Sequence, residues 1–147
     1  MSNVTGMAIL QPVVALAIWT MVMWVWLYAT RIPALKAAKV DPDALARDPE
    51  LSIDKVLPPH IQWKAQNYNH LHEAPTVFYA VALTLALVGA GDGIAAWIAW
   101  AYVALRVLHS LVQATINRVM VRFVIFALSS ALLLALILIA ASSVFVP

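Results

Sequence analysis

Four ionisable side chains, Glu73, Arg106, His109 and Arg122, sit inside or at the edges of long apolar runs. On an α-helix each residue advances about 100°, so Gln66, Asn69, His70 and Glu73 fall within an arc of roughly 100°. By the same count Tyr102, Arg106, His109, Gln113 and Asn117 fall within about 80°. Arg118 and Arg122, four residues apart, make a third short polar stripe. A charge at mid-bilayer costs about 2.5 to 3.5 kcal/mol even on the lenient insertion scale. The three stripes are therefore expected to face one another, with Arg106 or Arg122 as the counter-ion of Glu73. A single buried Glu–Arg pair can do no more than fix helix register. Arg118, Arg122 and His109 exceed what Glu73 can neutralise, and a surplus of buried donors suits an anionic ligand such as a carboxylate, phosphate or thiolate.

Other chemistries fit the spacing less well. His70 and His72 differ by about 200° around a helix, so they cannot share one metal ion, and no H-E-x-x-H pattern is present. Hydrogen-bonded histidines are the expected state, with no metal. Ser129 and Ser130 lie in an apolar helix, where back-bonding to a carbonyl is the default, not nucleophilic catalysis. Cysteine is absent from the chain, which removes disulfides, thiolate metal sites and a cysteine nucleophile.

The elements that must position these residues are membrane spans. Of 147 residues 64% are hydrophobic and 11% charged, against roughly 25% charged residues in a soluble domain. The net charge of +2 leaves no nucleic-acid footprint. Met7 to Ala29 carries no charge and is long enough to span the roughly 30 Å hydrocarbon layer. It lacks the basic start and small-residue cleavage site of a signal peptide. Trp24, Trp26 and Tyr28 suit an interfacial aromatic belt. Arg31 to His60 holds ten of the sixteen charges and five prolines, which predicts an aqueous loop with a short turn around Asp43 to Arg47. The second span is expected at about 62–90, kinked at Pro75. Gly89, Gly91 and Gly93 then form a turn, with Asp92 the N-cap of a third span at about 94–115. The fourth covers about 119–146. The chain thus reads as one all-α domain, an integral membrane four-helix bundle. Its basic residues concentrate in the first loop and the Arg118/Arg122 turn, which puts those loops in the cytoplasm and both termini on the opposite side.

Two segments carry a family resemblance: KAQNYNHLHEAPTVFYA, Lys64 to Ala80, and RVLHSLVQATINRVMVRF, Arg106 to Phe123. With four spans and one large basic loop after the first, the chain resembles the MAPEG family, the membrane-associated proteins in eicosanoid and glutathione metabolism. The resemblance implies a homotrimer of four-helix subunits that binds glutathione as co-substrate between subunits and activates its thiol against a lipophilic small molecule. It assigns Glu73 to the amino group of the peptide, with His70, Asn69, Arg106, His109 and Gln113 around it. Arg122 is assigned, as the catalytic residue, to the thiolate. A fixed cation beside a partly buried sulfur favours the ionised nucleophile. Gln66 and Asn69 stand where glutathione-using members commonly carry arginines, His70 where they carry asparagine, Gln113 for a tyrosine and Phe123 for a serine. The resemblance therefore implies a glutathione-dependent transferase or peroxidase. The alternatives are a non-catalytic binder of an acidic lipid or metabolite, and a structural membrane protein with a degenerate glutathione site.

Overall fold

An uninterrupted apolar run with no acid or base before Arg31 nucleates the first helix, α1, Leu10–Ala37. The computed structural model describes residues 5–39, 41–47 and 52–145. Helix α1 does not stop where the charges begin. The segment expected to open an aqueous loop continues the helix through Arg31 and Pro33 to Ala37. Pro33 removes one backbone donor, but the residues after it, Ala34 to Ala37, are good helix formers. Short helices α2, Pro42–Arg47, and α3, Ile53–Val56, follow. The expected turn near Asp43 corresponds to α2.

The segment expected to form the second span is two helices: α4, Pro59–His70, and α5, Ala74–Leu87. Pro59 occupies the first helical position, where its missing N–H is not needed. The kink expected at Pro75 is a full interruption over Leu71 to Glu73. Proline lacks the N–H that would bond to the carbonyl four residues back, and its ring clashes there; the chain restarts with Pro75 in the first turn of α5. Helices α6, Ile94–Thr115, and α7, Val119–Phe145, complete the fold. Among the described residues three helices, α1, α6 and α7, are long and apolar enough to cross a membrane. Among the described residues there is no strand.

Helix α6 is the hub, packed against α1, α4 and α7. Its small residues Ala95 and Ala99 are buried and let neighbouring backbones approach closely. Leu16 and Met23 from α1, Phe78 and Leu85 from α5, and Leu136 from α7 are fully enclosed in the same core. Val14, Ile18, Val25, Leu134 and Leu138 point outward, an apolar exterior that bilayer hydrocarbon would cover. At the hub, Ser110 Oγ donates to Asn67 Oδ1 at 3.0 Å, a buried bond that ties α6 to α4.

Asp92 differs from its expected role. The residue preceding α6 is Gly93, with no side-chain cap. Asp92 instead accepts from the N–H of Gly6 at 2.6 Å and of Ala8 at 2.9 Å, while Ile9 N–H donates to Gly91 O at 3.0 Å. The N-terminal segment is latched to the α5–α6 turn, so closely that a Cβ on Gly91 would collide with the Gly6 carbonyl. The two backbone donors hold the Asp92 carboxyl below its usual 3.8. A depressed folded pKa gives stability that is complete above the unfolded value and lost as pH falls through the folded one. Thermal unfolding should therefore show wild type above Asp92→Asn at neutral pH, with the two curves converging as pH falls below the ordinary carboxylate range. A constant gap down to acid pH would disprove the latch.

Candidate functional site

The turn between α6 and α7 builds the site. Asn117 adopts φ +47°, a left-handed conformation that asparagine tolerates at a helix end. Its Oδ1 thereby reaches forward to accept from Arg122 Nη1 at 2.6 Å. The half-buried Arg122 guanidinium is fixed by that bond, and its enclosed Nε has no acceptor. Across from it the rings of His70, from the last turn of α4, and His109, from α6, stack at 4.9 Å with an interplanar angle of 20°. Phe126 meets His70 edge-on at 5.7 Å. Together His70, His109, Val119, Arg122, Phe123 and Phe126 line an open pocket of ≈ 250 Å³.

The expected site residues divide around this pocket. His70, His109 and Arg122 come together in it. Glu73 does not pair with Arg106 or Arg122; its Oε2 lies 3.8 Å from His70 Nε2, and its side chain is 68% exposed. The break after His70 explains this, because Glu73 is no longer on the helical arc that the spacing assumed. Arg106 is 1% exposed and lies behind the pocket. Its guanidinium carbon is 5.1 Å from the Tyr102 ring and 5.0 Å from the Phe126 ring, and none of its three nitrogens has an acceptor of hydrogen-bond geometry. Gln113 is buried one turn beyond His109, its Oε1 without a donor. Asn69 and Gln66 line a different cavity, on the α1 side of α4. Arg118 is exposed in the turn. The three stripes therefore do not converge on one point.

Phe126 is the residue that spacing could have supplied and did not. It lies four residues after Arg122 and seven after Val119, on the same helical face. His72 turns away, its Nδ1 2.8 Å from Tyr68 O. Among the described residues no group of three His, Cys, Asp or Glu lies together to hold a metal.

A bundle of helices, three of them long and apolar enough to cross a membrane, with His70, His109 and Arg122 lining one open pocket, defines an all-helical membrane protein. The chain matches the family model of the MAPEG family over residues 9–142. It belongs to that family, whose members are membrane proteins of glutathione and eicosanoid metabolism. No curated protein and no solved structure matches it.

Proposed function

We propose that the chain is a membrane-bound glutathione-dependent transferase or peroxidase acting on a lipophilic electrophile, with Arg122 stabilising the thiolate. The observation that carries this reading is the Arg122 guanidinium, held by Asn117 and opening onto the His70–His109 pair. A rigid cation with an unused donor is suited to charge that develops on sulfur, because it needs no reorganisation when the proton leaves. His70 and His109 offer ring nitrogens to the peptide, and Glu73 at the rim suits its amino group. Arg106, under the Phe126 ring, adds positive potential from behind, and Gln113 lies buried one turn beyond His109. Asn69 is left out of this set because it lines the other cavity. The exposed Phe123 and the α7 face beside it would let an apolar second substrate enter from the bilayer.

The pocket of one subunit, ≈ 250 Å³, falls below the roughly 300–1,000 Å³ of ordinary ligand sites. A second wall from a neighbouring copy would enlarge it, which supports a trimer with the site between subunits. The positive-inside rule favours the cytoplasm for this basic end. A second reading, non-catalytic binding of an acidic lipid or metabolite, is favoured by one observation. Gln66 and Asn69 bring no cation and face elsewhere, so the two carboxylates of glutathione meet few charges.

Purified protein given glutathione and a chromogenic electrophile separates the two. Ultraviolet thiolate absorbance that saturates with glutathione, followed by turnover, is the expected result. No thiolate signal at any glutathione concentration removes the catalytic reading and leaves the binding one.

A further inference from the structure

Arg122 can stabilise a thiolate, but it cannot take the thiol proton, because a guanidinium in a protein stays protonated. Another group must accept it. Besides Arg122 the pocket is lined by His70, His109, Val119, Phe123 and Phe126, and of these the two histidines are the bases. Their rings stack at 4.9 Å, yet they differ in access and in partner. His109 is 3% exposed, whereas His70 is half-buried and has a carboxylate beside it, its Nε2 lying 3.8 Å from Glu73 Oε2.

The stack fixes the plane of the His70 ring, with Phe126 edge-on at 5.7 Å. One turn earlier on α4, Asn67 Oδ1 accepts from Ser110, the neighbour of His109, and this buried bond holds the two helices in the register that keeps the rings together. A carboxylate facing Nε2 favours the tautomer with the proton on that nitrogen and leaves the Nδ1 lone pair as the base. It also stabilises the imidazolium that forms. A nucleophile beside a base, itself oriented by a third group, is the arrangement that activates a weak nucleophile. The 3.8 Å separation exceeds a hydrogen bond, and contacts of this kind commonly tighten once substrate is bound.

We propose that His70, oriented by Glu73, is the general base that takes the thiol proton of glutathione. The inference rests on the glutathione reading of the pocket and adds a second catalytic residue to it, with Glu73 as a positioning residue. The S–H bond breaks, its proton passes to His70 Nδ1, and its electron pair stays on sulfur beside Arg122. That pair then forms the C–S bond at the electrophilic carbon, the leaving group departs with the pair of its own bond, and the imidazolium gives its proton to water. Arg122 thus sets how much thiolate exists, and His70 how fast it forms. The two roles separate when the full chain in detergent is mixed rapidly with saturating glutathione in weak buffer and the thiolate absorbance is followed in time. His70→Asn, which keeps a polar side chain but no base, should slow thiolate formation about 10²-fold while retaining most of the final absorbance. Free imidazole added to the buffer should restore the rate in His70→Asn and leave the wild type unchanged, a rescue that a merely structural role would not show. Glu73→Gln should slow the step less, about tenfold, since the ring remains and its counter-charge alone is lost. Thiolate formation at the wild-type rate in His70→Asn, or slowed formation that imidazole does not rescue, overturns the base. If His70→Asn fails to fold, a wild-type rate in Glu73→Gln overturns the pair. Absence of thiolate in the wild type is a different failure, that of the glutathione reading itself, and removes this role with it.

Discussion

Arg122→Ala is expected to lower glutathione turnover about 10²- to 10³-fold, the loss typical of removing one fixed donor from developing negative charge. The thiolate absorbance at saturating glutathione should vanish with it. Two features make the effect large. The guanidinium is anchored through Nη1 to Asn117 at 2.6 Å, so its position is set before any ligand arrives. It is half-buried beside Phe123 and Phe126, which weakens the solvent screening of its charge. Arg122→Lys should recover only part of the activity, because a single ammonium cannot bond Asn117 and present a second donor in the same fixed geometry. Asn117→Ala keeps the cation but releases its anchor; a rise in KM together with a fall in kcat is the expected signature of that lost positioning. Full thiolate absorbance in Arg122→Ala would transfer the role to another group and defeat the assignment.

How much of this was legible in the sequence follows from which forces act locally. Spans are read from continuous apolar length, a property of each segment alone, and α1, α6 and α7 meet that criterion in the structure. The RVLHSLVQATINRVMVRF segment carried the Arg122 and His109 pair because its helices are regular on both sides of one tight turn. Helical arithmetic failed where its premise failed. Once Pro75 interrupts the second span, Glu73 leaves the arc shared with His70, and its link to Arg106 is lost. Asn69 and His70 show a subtler limit. Adjacent residues differ by about 100° around a helix, enough to send one to the cavity on the α1 side of α4 and the other to the Arg122 pocket. A stripe that looks single in projection lines two cavities. Asp92 marks a third limit, since its backbone partners lie 84 and 86 residues away, and the glycine-rich turn around it pointed to a local cap. The continuation of α1 past Pro33 is the last case: a proline penalises one hydrogen bond, while tertiary contact between Arg31 and Gln62 supports the turns beyond it.

Arg106→Met separates stability from function more sharply than any other substitution. An arginine that is 1% exposed and whose nitrogens have no acceptor of hydrogen-bond geometry among the described residues bears a desolvation penalty of several kcal/mol. The Tyr102 and Phe126 rings, 5.1 and 5.0 Å from its guanidinium carbon, return about 2 kcal/mol or somewhat more as desolvated cation–π contacts. That leaves a net cost in the isolated subunit. Methionine fills a similar volume without the charge, so the ligand-free variant is expected to unfold at or above the wild-type temperature, with a gain of up to about 1–4 kcal/mol. Its affinity for glutathione should fall about tenfold, the effect of removing one unit charge from the low-dielectric wall behind an anion. Arg106→Lys, which retains the charge, should restore most of that affinity. A residue that costs stability and supports anion binding belongs to the pocket even though it does not touch the ligand. The opposite result, Arg106→Met strongly destabilised with unchanged glutathione affinity, would mean that the guanidinium meets a carboxylate in the assembled protein. Arg106 would then set helix register and nothing more.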